Sequence, residues 1–239
     1  MVSRIGLVAL GLVGVLALPA AASANVVSLN FENINASYPS GFAQILDYYN
    51  GGTSSDGTTG TNYGVSFGSN ALAICLNSLS VVCSNTSRGG LGDPGSQKGG
   101  LFFLEGSETF LNYAAGFDTG FSFNYVSFSF AGSVGVYDGL NGTGNLLATL
   151  ALSPNAGSCP GYSAGFCPFS PVGVSFAGIA KSISFAGVAN QIVFDDVTFG
   201  SATPGPDVPE PATWAMFIGG FGAVGGVLRS RRKIAVSYT

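Results

Sequence analysis

Hydrophobic and polar residues alternate with a period of two along most of the chain between residues 25 and 202. Residues 27–32 place Val, Leu and Phe at odd positions and Ser, Asn and Glu at even positions, which is the pattern of a half-buried strand. Residues 134–137 and 145–152 flank a Gly-rich turn at 138–144 and predict a hairpin. The same analysis predicts further strands at 62–68, 71–76, 101–105, 108–114, 172–177, 180–187 and 191–199.

Gly-, Ser-, Thr- and Asn-rich segments separate these strands, with long loops expected at 51–60 and 85–100. Many short strands without a helical period predict an all-β fold, and we expect a single β-sandwich of the jelly-roll type over residues 25–202. Two segments change phase. Residues 121–125 and 126–130 carry aromatic and aliphatic side chains on opposite parities, and 192–199 changes parity at Asp195 and Asp196. A phase change predicts a β-bulge or a bend between sheets.

The first 24 residues have the organisation of a secretory signal peptide. Arg4 precedes an apolar run at 5–18, and Ala22-Ser23-Ala24 fits the A-x-A cleavage pattern, so the mature chain is expected to start at Asn25. The alternative is an uncleaved anchor, but fourteen residues of helix rise only ~21 Å against a hydrocarbon core of ~30 Å.

The C-terminal segment resembles a membrane-sorting signal in its order of parts. A Pro-rich linker at 203–208 leads to an apolar stretch at 212–228, for which we predict one transmembrane helix of roughly 25 Å. A basic cluster at 229–233 follows the apolar stretch, consisting of Arg229, Arg231, Arg232 and Lys233. Because cationic residues stay on the cytoplasmic side, this cluster predicts a stop-transfer segment with the bulk of the chain outside.

The string Pro209-Glu210-Pro211, followed by Trp214-Ala215, the Gly-rich apolar stretch and the basic cluster, resembles a PEP-CTERM sorting signal of the PEP-x-x-W-A type over residues 209–233. The same region is sometimes labelled an ice-binding protein C-terminal domain. The resemblance implies recognition of Pro209, Glu210 and Pro211 by an exosortase, a membrane protease-transpeptidase. It also implies transient residence in the inner membrane before transfer to the cell surface or the extracellular polysaccharide. The alternative is an ordinary anchor with an accidental Pro-Glu-Pro.

Composition narrows the possible functions. Only 8% of the 239 residues are charged and histidine is absent, which removes the commonest zinc ligand and general base. Residues 25–207 hold three cationic and eleven acidic side chains, a net charge of −8. This acidic balance argues against nucleic-acid binding. The absence of histidine makes a Ser-His-Asp triad impossible, although residues 161–165 match G-x-S-x-G by letter.

The four cysteines form two pairs with the same separation, Cys75 with Cys83 and Cys159 with Cys167. In an exported chain this spacing favours two local disulfides among three possible connectivities. A zinc site of four cysteines is the alternative, but the sequence lacks C-x-x-C spacing.

Two sets of side chains are candidates for binding. Asp195 and Asp196 at the phase change, together with Glu32 and Asn33 after the first strand, are candidate ligands of a structural calcium ion. The alternative is that these side chains are solvated polar residues at strand ends. Tyrosines able to stack on sugar faces are Tyr48, Tyr49, Tyr63, Tyr113 and Tyr162.

The sequence therefore predicts an exported surface or extracellular-matrix protein with a non-catalytic sandwich that binds carbohydrate or serves in the biofilm matrix. Its expected partners are an exosortase and extracellular polysaccharide. The alternative function is a glycan hydrolase that uses only carboxylates, for which Glu105 and Glu108 are the candidates. The competing interpretation is that these two acids belong to a polar turn between strands.

Overall fold

The computed structural model describes residues 26–35, 41–76, 99–157, 167–205 and 220–221. Twelve strands lie within these ranges. They are β1 (Val27–Leu29), β2 (Phe42–Gln44), β3 (Val65–Phe67), β4 (Leu72–Cys75), β5 (Gly99–Phe102), β6 (Glu108–Phe117), β7 (Gly120–Ser127), β8 (Gly132–Tyr137), β9 (Leu146–Leu152), β10 (Ser170–Ser175), β11 (Ala180–Ala186) and β12 (Ile192–Phe199).

The strands form two antiparallel sheets. The seven-stranded sheet has the order β10-β7-β12-β5-β4-β2, with β1 also paired to β12, and the five-stranded sheet has the order β3-β6-β11-β8-β9. From β5 onward, successive strands change sheet at every step except β8 to β9. The expected all-β fold with two sheets is confirmed, and the jelly-roll type stays a prediction.

Aromatic side chains fill the space between the sheets. Phe185 of β11 lies 4.7 Å from Phe194 of β12 and 6.1 Å from Phe123 of β7, measured between ring centroids. All three side chains are fully buried. Such tilted and edge-on ring pairs join one sheet to the other, and aromatic burial of this kind is a large contribution to the free energy of folding. The molecule is therefore a β-sandwich with a phenylalanine-rich core.

The aromatic run in β7 is explained by a second hydrophobic cluster rather than by a bulge in that strand. β7 pairs with β10 without a register shift from Gly120 to Tyr125. Val126 of β7, and Phe128 just after it, pack with Phe102 and Val193 on the other face of the same sheet. Side chains of both parities are therefore buried, each against a different cluster, without a bulge in the pairing with β10. The other predicted possibility, a bend between sheets, occurs after β7, where the chain passes to β8 in the second sheet.

The seven other predicted strands and the predicted hairpin are present, with ends that differ by a few residues. β6 continues to Phe117, beyond the predicted end, and β5 begins at Gly99, inside the predicted loop at 85–100. β2 was not predicted. The rest of the predicted loop at 85–100 lies in the undescribed segment 77–98. The predicted signal peptide at 1–24 and the G-x-S-x-G sequence at 161–165 also lie outside the described residues.

The C-terminal segment is described only at Gly220 and Phe221, which are helical. In the part of the chain that the structure describes, no helix has the length and hydropathy needed to span a bilayer. The predicted span at 212–228 otherwise lies outside the described residues, as do the motif residues 209–211 and the basic cluster.

Candidate functional site

The junction between the first and last strands lies where β12 changes partner. One edge of β12 pairs with β5 at Phe194 and with β1 from Val197 onward. On its other edge, Asp195 pairs with Asn124 and Thr198 with Ser122, so two residues of β12 oppose one residue of β7. This is a β-bulge. The predicted phase change at Asp195 and Asp196 is therefore confirmed.

The chain leaves β1 through a turn in an uncommon backbone conformation. Phe31 has a φ of 53° and Asn33 a φ of 65°, both in the left-handed region. That region is unusual for a bulky residue such as Phe. The fully buried Phe31 ring fixes it from one side, and from the other the Tyr49 hydroxyl oxygen accepts the Phe31 backbone N–H at 3.0 Å. Tertiary contacts therefore hold a turn that the local sequence does not favour.

Gly99, the first residue of β5, lies directly against this turn. A Cβ atom at position 99 would overlap the carbonyl oxygen of Phe31, so glycine permits this close approach. The Gly99 backbone N–H donates a hydrogen bond of 2.9 Å to Oε1 of Glu32. The carboxylate of Glu32 is therefore held in a defined position at the rim of the junction.

A polar pocket of about 260 Å³ opens beside this turn, and we call it the tyrosine pocket. Its lining residues come from β1, the turn after β1 and the connection between β2 and β3: Ser28, Asn30, Glu32, Asn33, Tyr48, Tyr49, Thr61 and Tyr63. The Tyr48 and Tyr49 rings meet edge-on at 4.9 Å, and the Tyr49 and Tyr63 rings lie 6.2 Å apart. The tyrosine pocket thus combines three neighbouring rings with amide, hydroxyl and carboxylate groups.

The three tyrosines differ in exposure. Tyr48 and Tyr49 are 7% and 5% exposed, whereas Tyr63 is 37% exposed. The Tyr48 hydroxyl donates to the carbonyl oxygen of Glu32 at 3.3 Å, and Gly60 lies so close to the Tyr48 ring that a Cβ there would overlap it. The buried side chains of Tyr48 and Tyr49 therefore form fixed walls of the tyrosine pocket, and Tyr63 is the most solvent-exposed of the three tyrosines.

The phenol groups in the wall remain neutral over a wide pH range. Burial raises the pKa of Tyr49 well above its ordinary value, the Phe31 backbone hydrogen bond lowers it, and the nearby Tyr48, Asp195 and Tyr63 raise it further. Burial also raises the pKa of Tyr48. Among the described lining residues, Glu32 is the one acid and none is cationic. The described lining is therefore polar and contains one carboxylate.

The predicted calcium ligands lie around the same junction, but they are engaged by protein donors. Asp195 Oδ1 accepts the backbone N–H of Asp196 at 2.7 Å, and Asp196 Oδ2 accepts the Asn124 side-chain amide at 3.2 Å. Asp195 is fully buried. The described residues contain no group of three or more His, Cys, Asp or Glu side chains arranged to hold a metal ion. The calcium site with Glu32 and Asn33 stays a prediction.

Of the two candidate hydrolase acids, Glu105 lies in the turn between β5 and β6, and Glu108 is the first residue of β6. The Ser184 hydroxyl donates to Oε2 of Glu108 at 2.6 Å. Glu105 lines a different groove of about 330 Å³ with Phe42, Gln44 and Leu104, and Glu108 is not among the residues that line it. The two carboxylates therefore do not both flank this groove.

Other predicted residues have structural roles or lie outside the described part. The Tyr113 ring stacks on Phe117 in the core. Tyr162 lies outside the described residues. Cys75 and Cys167 are disulfide-bonded. Because Cys83 and Cys159 are not described, the local pairing stays a prediction.

Comparison with known families decides what the C-terminal segment is. Residues 207–233 match the PEP-CTERM protein-sorting motif. The segment that resembled such a signal in the sequence, 209–233, lies wholly inside this match. A search of curated proteins found no match to the chain.

The PEP-CTERM motif implies export and processing by an exosortase at the membrane, with sorting to the cell surface. The motif follows shortly after the sandwich. The last strand, β12, ends at Phe199, and the chain beyond it is described as far as Gly205. The motif is recognisable in the sequence because its parts occur in a fixed order.

Five residues of the tyrosine pocket were predicted, as calcium ligands (Glu32 and Asn33) or as sugar-stacking tyrosines (Tyr48, Tyr49 and Tyr63), whereas Ser28, Asn30 and Thr61 were missed. The polar positions that alternate in and after β1 were the available signal for Ser28 and Asn30.

Proposed function

We propose that this chain is a non-catalytic cell-surface or extracellular-matrix protein whose β-sandwich binds carbohydrate. The observation that carries the proposal is the PEP-CTERM motif at 207–233, placed shortly after the last strand of a two-sheet sandwich. The order of sandwich, linker and sorting motif is that of a folded passenger followed by its delivery signal.

The disulfide state supports export. Cys75 and Cys167 are both disulfide-bonded. Disulfides persist in oxidising compartments outside the cytoplasm. An A-x-A sequence at 22–24 and an apolar run at 5–18 supply the signal peptide that the route requires.

Carbohydrate binding is supported by the tyrosine pocket and by the charge of the passenger. The pocket has hydroxyl, amide and aromatic groups of the kinds that orient small ligands in concave sites. The net charge of −8 over 25–207 disfavours nucleic acid and anionic membrane surfaces as partners. A polysaccharide matrix is the partner that suits both features and the sorting motif.

The hydrolase alternative draws less support from the geometry. General acid–base hydrolysis of a glycosidic bond needs two carboxyl groups that flank one substrate site. Glu105 lines the groove beside Phe42, whereas the Glu108 carboxylate accepts a hydrogen bond from Ser184. If Glu105→Gln abolished release of reducing ends from glycan while binding persisted, the non-catalytic proposal would be wrong.

The sorting part of the proposal is tested by replacing Pro209, Glu210 and Pro211 with alanine in the full chain. We expect the triple variant to accumulate at full length in the membrane fraction, because the exosortase no longer recognises it. Pro204→Ala is the matched control, since it removes a nearby proline outside the matched residues. Release of the triple variant at the rate of the control would overturn sorting through this motif.

A further inference from the structure

We propose that β9 pairs with the β9 strand of a second copy of this chain, so that the five-stranded sheets of the two molecules join in a two-fold dimer. The surface is the outer edge of β9 (Leu146–Leu152), which we call the β9 edge. On this side of the sandwich β9 ends the five-stranded sheet, and β10, which lies beside it, ends the seven-stranded sheet. The proposal is independent of carbohydrate binding.

This side of the molecule is built from a stretch of sequence without charged side chains. No Asp, Glu, Lys or Arg occurs between Asp138 and Lys181, and this stretch includes both β9 and β10. The three cationic and eleven acidic side chains of residues 25–207, with a net charge of −8, all lie outside it. Because two copies carry the same net negative charge, they repel each other least when they approach through uncharged sides.

The β9 edge lacks the features that normally prevent one sheet from pairing with another. Natural sheets protect their edges with very short strands, with proline or with charged side chains. β2 and β3, which end the two sheets on the other side, are three residues long, and β10 contains Pro171. β9 has seven residues, and none of them is proline or charged. Among the described strands at the sheet ends, β9 is therefore the one open to pairing.

The backbone of β9 is arranged to accept another strand. One edge of β9 pairs with β8, and no other described strand pairs with it. This pairing is regular from Ala148 to Leu152, with its register shift at the Leu146 end. Of the backbone hydrogen bonds that described turns and loops make, none reaches Leu146–Leu152. The outer edge therefore presents alternating N–H and C=O groups, which are complementary to those of a second strand edge.

A second copy of β9 fits this edge because the strand is complementary to itself. Antiparallel pairing of the regular part with itself places Leu150 at the two-fold axis and Thr149 of one copy opposite Ala151 of the other. Thr149 and Ala151 are both exposed, small and uncharged. Their side chains therefore neither collide nor repel each other across the pair. Because the same edge is used by both copies, the assembly closes at the dimer.

Exposed apolar side chains at the start of β9 add to this surface. Leu146 is 55% exposed, and Ile179 in the turn before β11 is 58% exposed. That turn lies against β9, since a Cβ at Gly178 would be 3.6 Å from the Leu147 side chain. A second copy paired along β9 shields part of this apolar surface from water, which favours association.

The test measures the monomer–dimer equilibrium of the exported protein by sedimentation over a range of concentrations. One double variant combines Thr149→Lys with Ala151→Lys, and another combines Thr149→Glu with Ala151→Glu. Each places like charges opposite each other in the paired strands, which is destabilising. The control combines Ala114→Lys with Ala115→Lys, because both alanines are exposed on β6, away from β9 in the same sheet. Circular dichroism checks that every variant is folded.

We expect the wild type and the control to share one dimer dissociation constant, and each double variant alone to raise it about tenfold or more. An equimolar mixture of the lysine and glutamate variants should regain the dimer, because opposite charges then face each other. A wild type that stays monomeric at every concentration would overturn the proposal. So would a folded lysine variant that dimerises like the wild type, a mixture that does not regain the dimer, or assembly beyond the dimer.

Discussion

At the scale of single residues, the turn after β1 depends on the absence of a side chain at Gly99. A methyl group there would overlap the Phe31 carbonyl oxygen, a backbone atom that cannot move aside as a flexible side chain would. We expect Gly99→Ala to lower the free energy of unfolding by about 1–3 kcal/mol, the usual range for overpacking. Denaturant unfolding measures this change. Gly157→Ala is the control, because its Cβ would meet only Pro168 at 3.8 Å, and a similar loss there would contradict the explanation.

Asp138 gives a prediction about acid. Its carboxylate accepts the Asn145 side-chain amide at 2.8 Å and the Asn145 backbone N–H at 2.6 Å, and these bonds lower its pKa. Because the pKa is lowered in the folded state, the ionised carboxylate stabilises the β8–β9 hairpin at any pH above the ordinary pKa of aspartate. This stabilisation is lost as the pH falls through the lowered pKa of the folded state.

We therefore expect Asp138→Ala to melt at a lower temperature than the wild type at pH 7, with a difference that shrinks below about pH 4. Thermal unfolding followed from pH 7 to pH 2 measures it. A melting difference that is the same at both ends of this range would show that the charge of Asp138 is not the cause.

Residue identity alone predicted part of the candidate site. The tyrosines Tyr48, Tyr49 and Tyr63 were recognised as possible sugar-stacking rings, and the structure brings them together. The left-handed conformation of Phe31 was beyond sequence analysis, since it depends on a hydrogen bond from a tyrosine eighteen residues away in the chain. Local sequence preferences do not contain such a contact.

At the scale of elements, β7 stabilises the sandwich through both of its faces. Val126 is fully buried in the second cluster, on the face opposite Phe123 and Tyr125. We expect Val126→Ala to cost about 1–3 kcal/mol of unfolding free energy, because it leaves unfilled space among packed side chains. Val188→Ala removes the same atoms from a 44% exposed position and should change stability little. Equal effects in denaturant unfolding would contradict a second core.

Most strands were predictable because hydrophobic and polar residues alternate with a period of two over four or more residues. β2 was missed because its residues, Phe42–Gln44, do not alternate between hydrophobic and polar. The bulge in β12 was predictable because the adjacent acids mark it. Alternation identifies a change of face, but only the packing of a second cluster tells a bulge from a strand that is buried on both sides.

At the scale of the whole molecule, covalent links complement the core. Cys75 and Cys167 are disulfide-bonded, and we predict the pairs Cys75 with Cys83 and Cys159 with Cys167. Peptide mapping without reduction should recover these two linked pairs, and a peptide that joins residues 75 and 159 would contradict them. Each loop is short, so we expect replacement of one pair by serine to cost on the order of 2–3 kcal/mol.

The measurement that tests the account most directly is the intact mass of the protein that cells release. Export, cleavage before Asn25 and exosortase processing at the PEP-CTERM motif together predict a released chain that begins at Asn25 and lacks the apolar segment 212–228 and the basic cluster 229–233. A mass equal to that of a chain starting at Asn25 and ending at Thr239 would contradict processing at the motif. A released chain that still carries residues 1–24 would contradict the proposed export route.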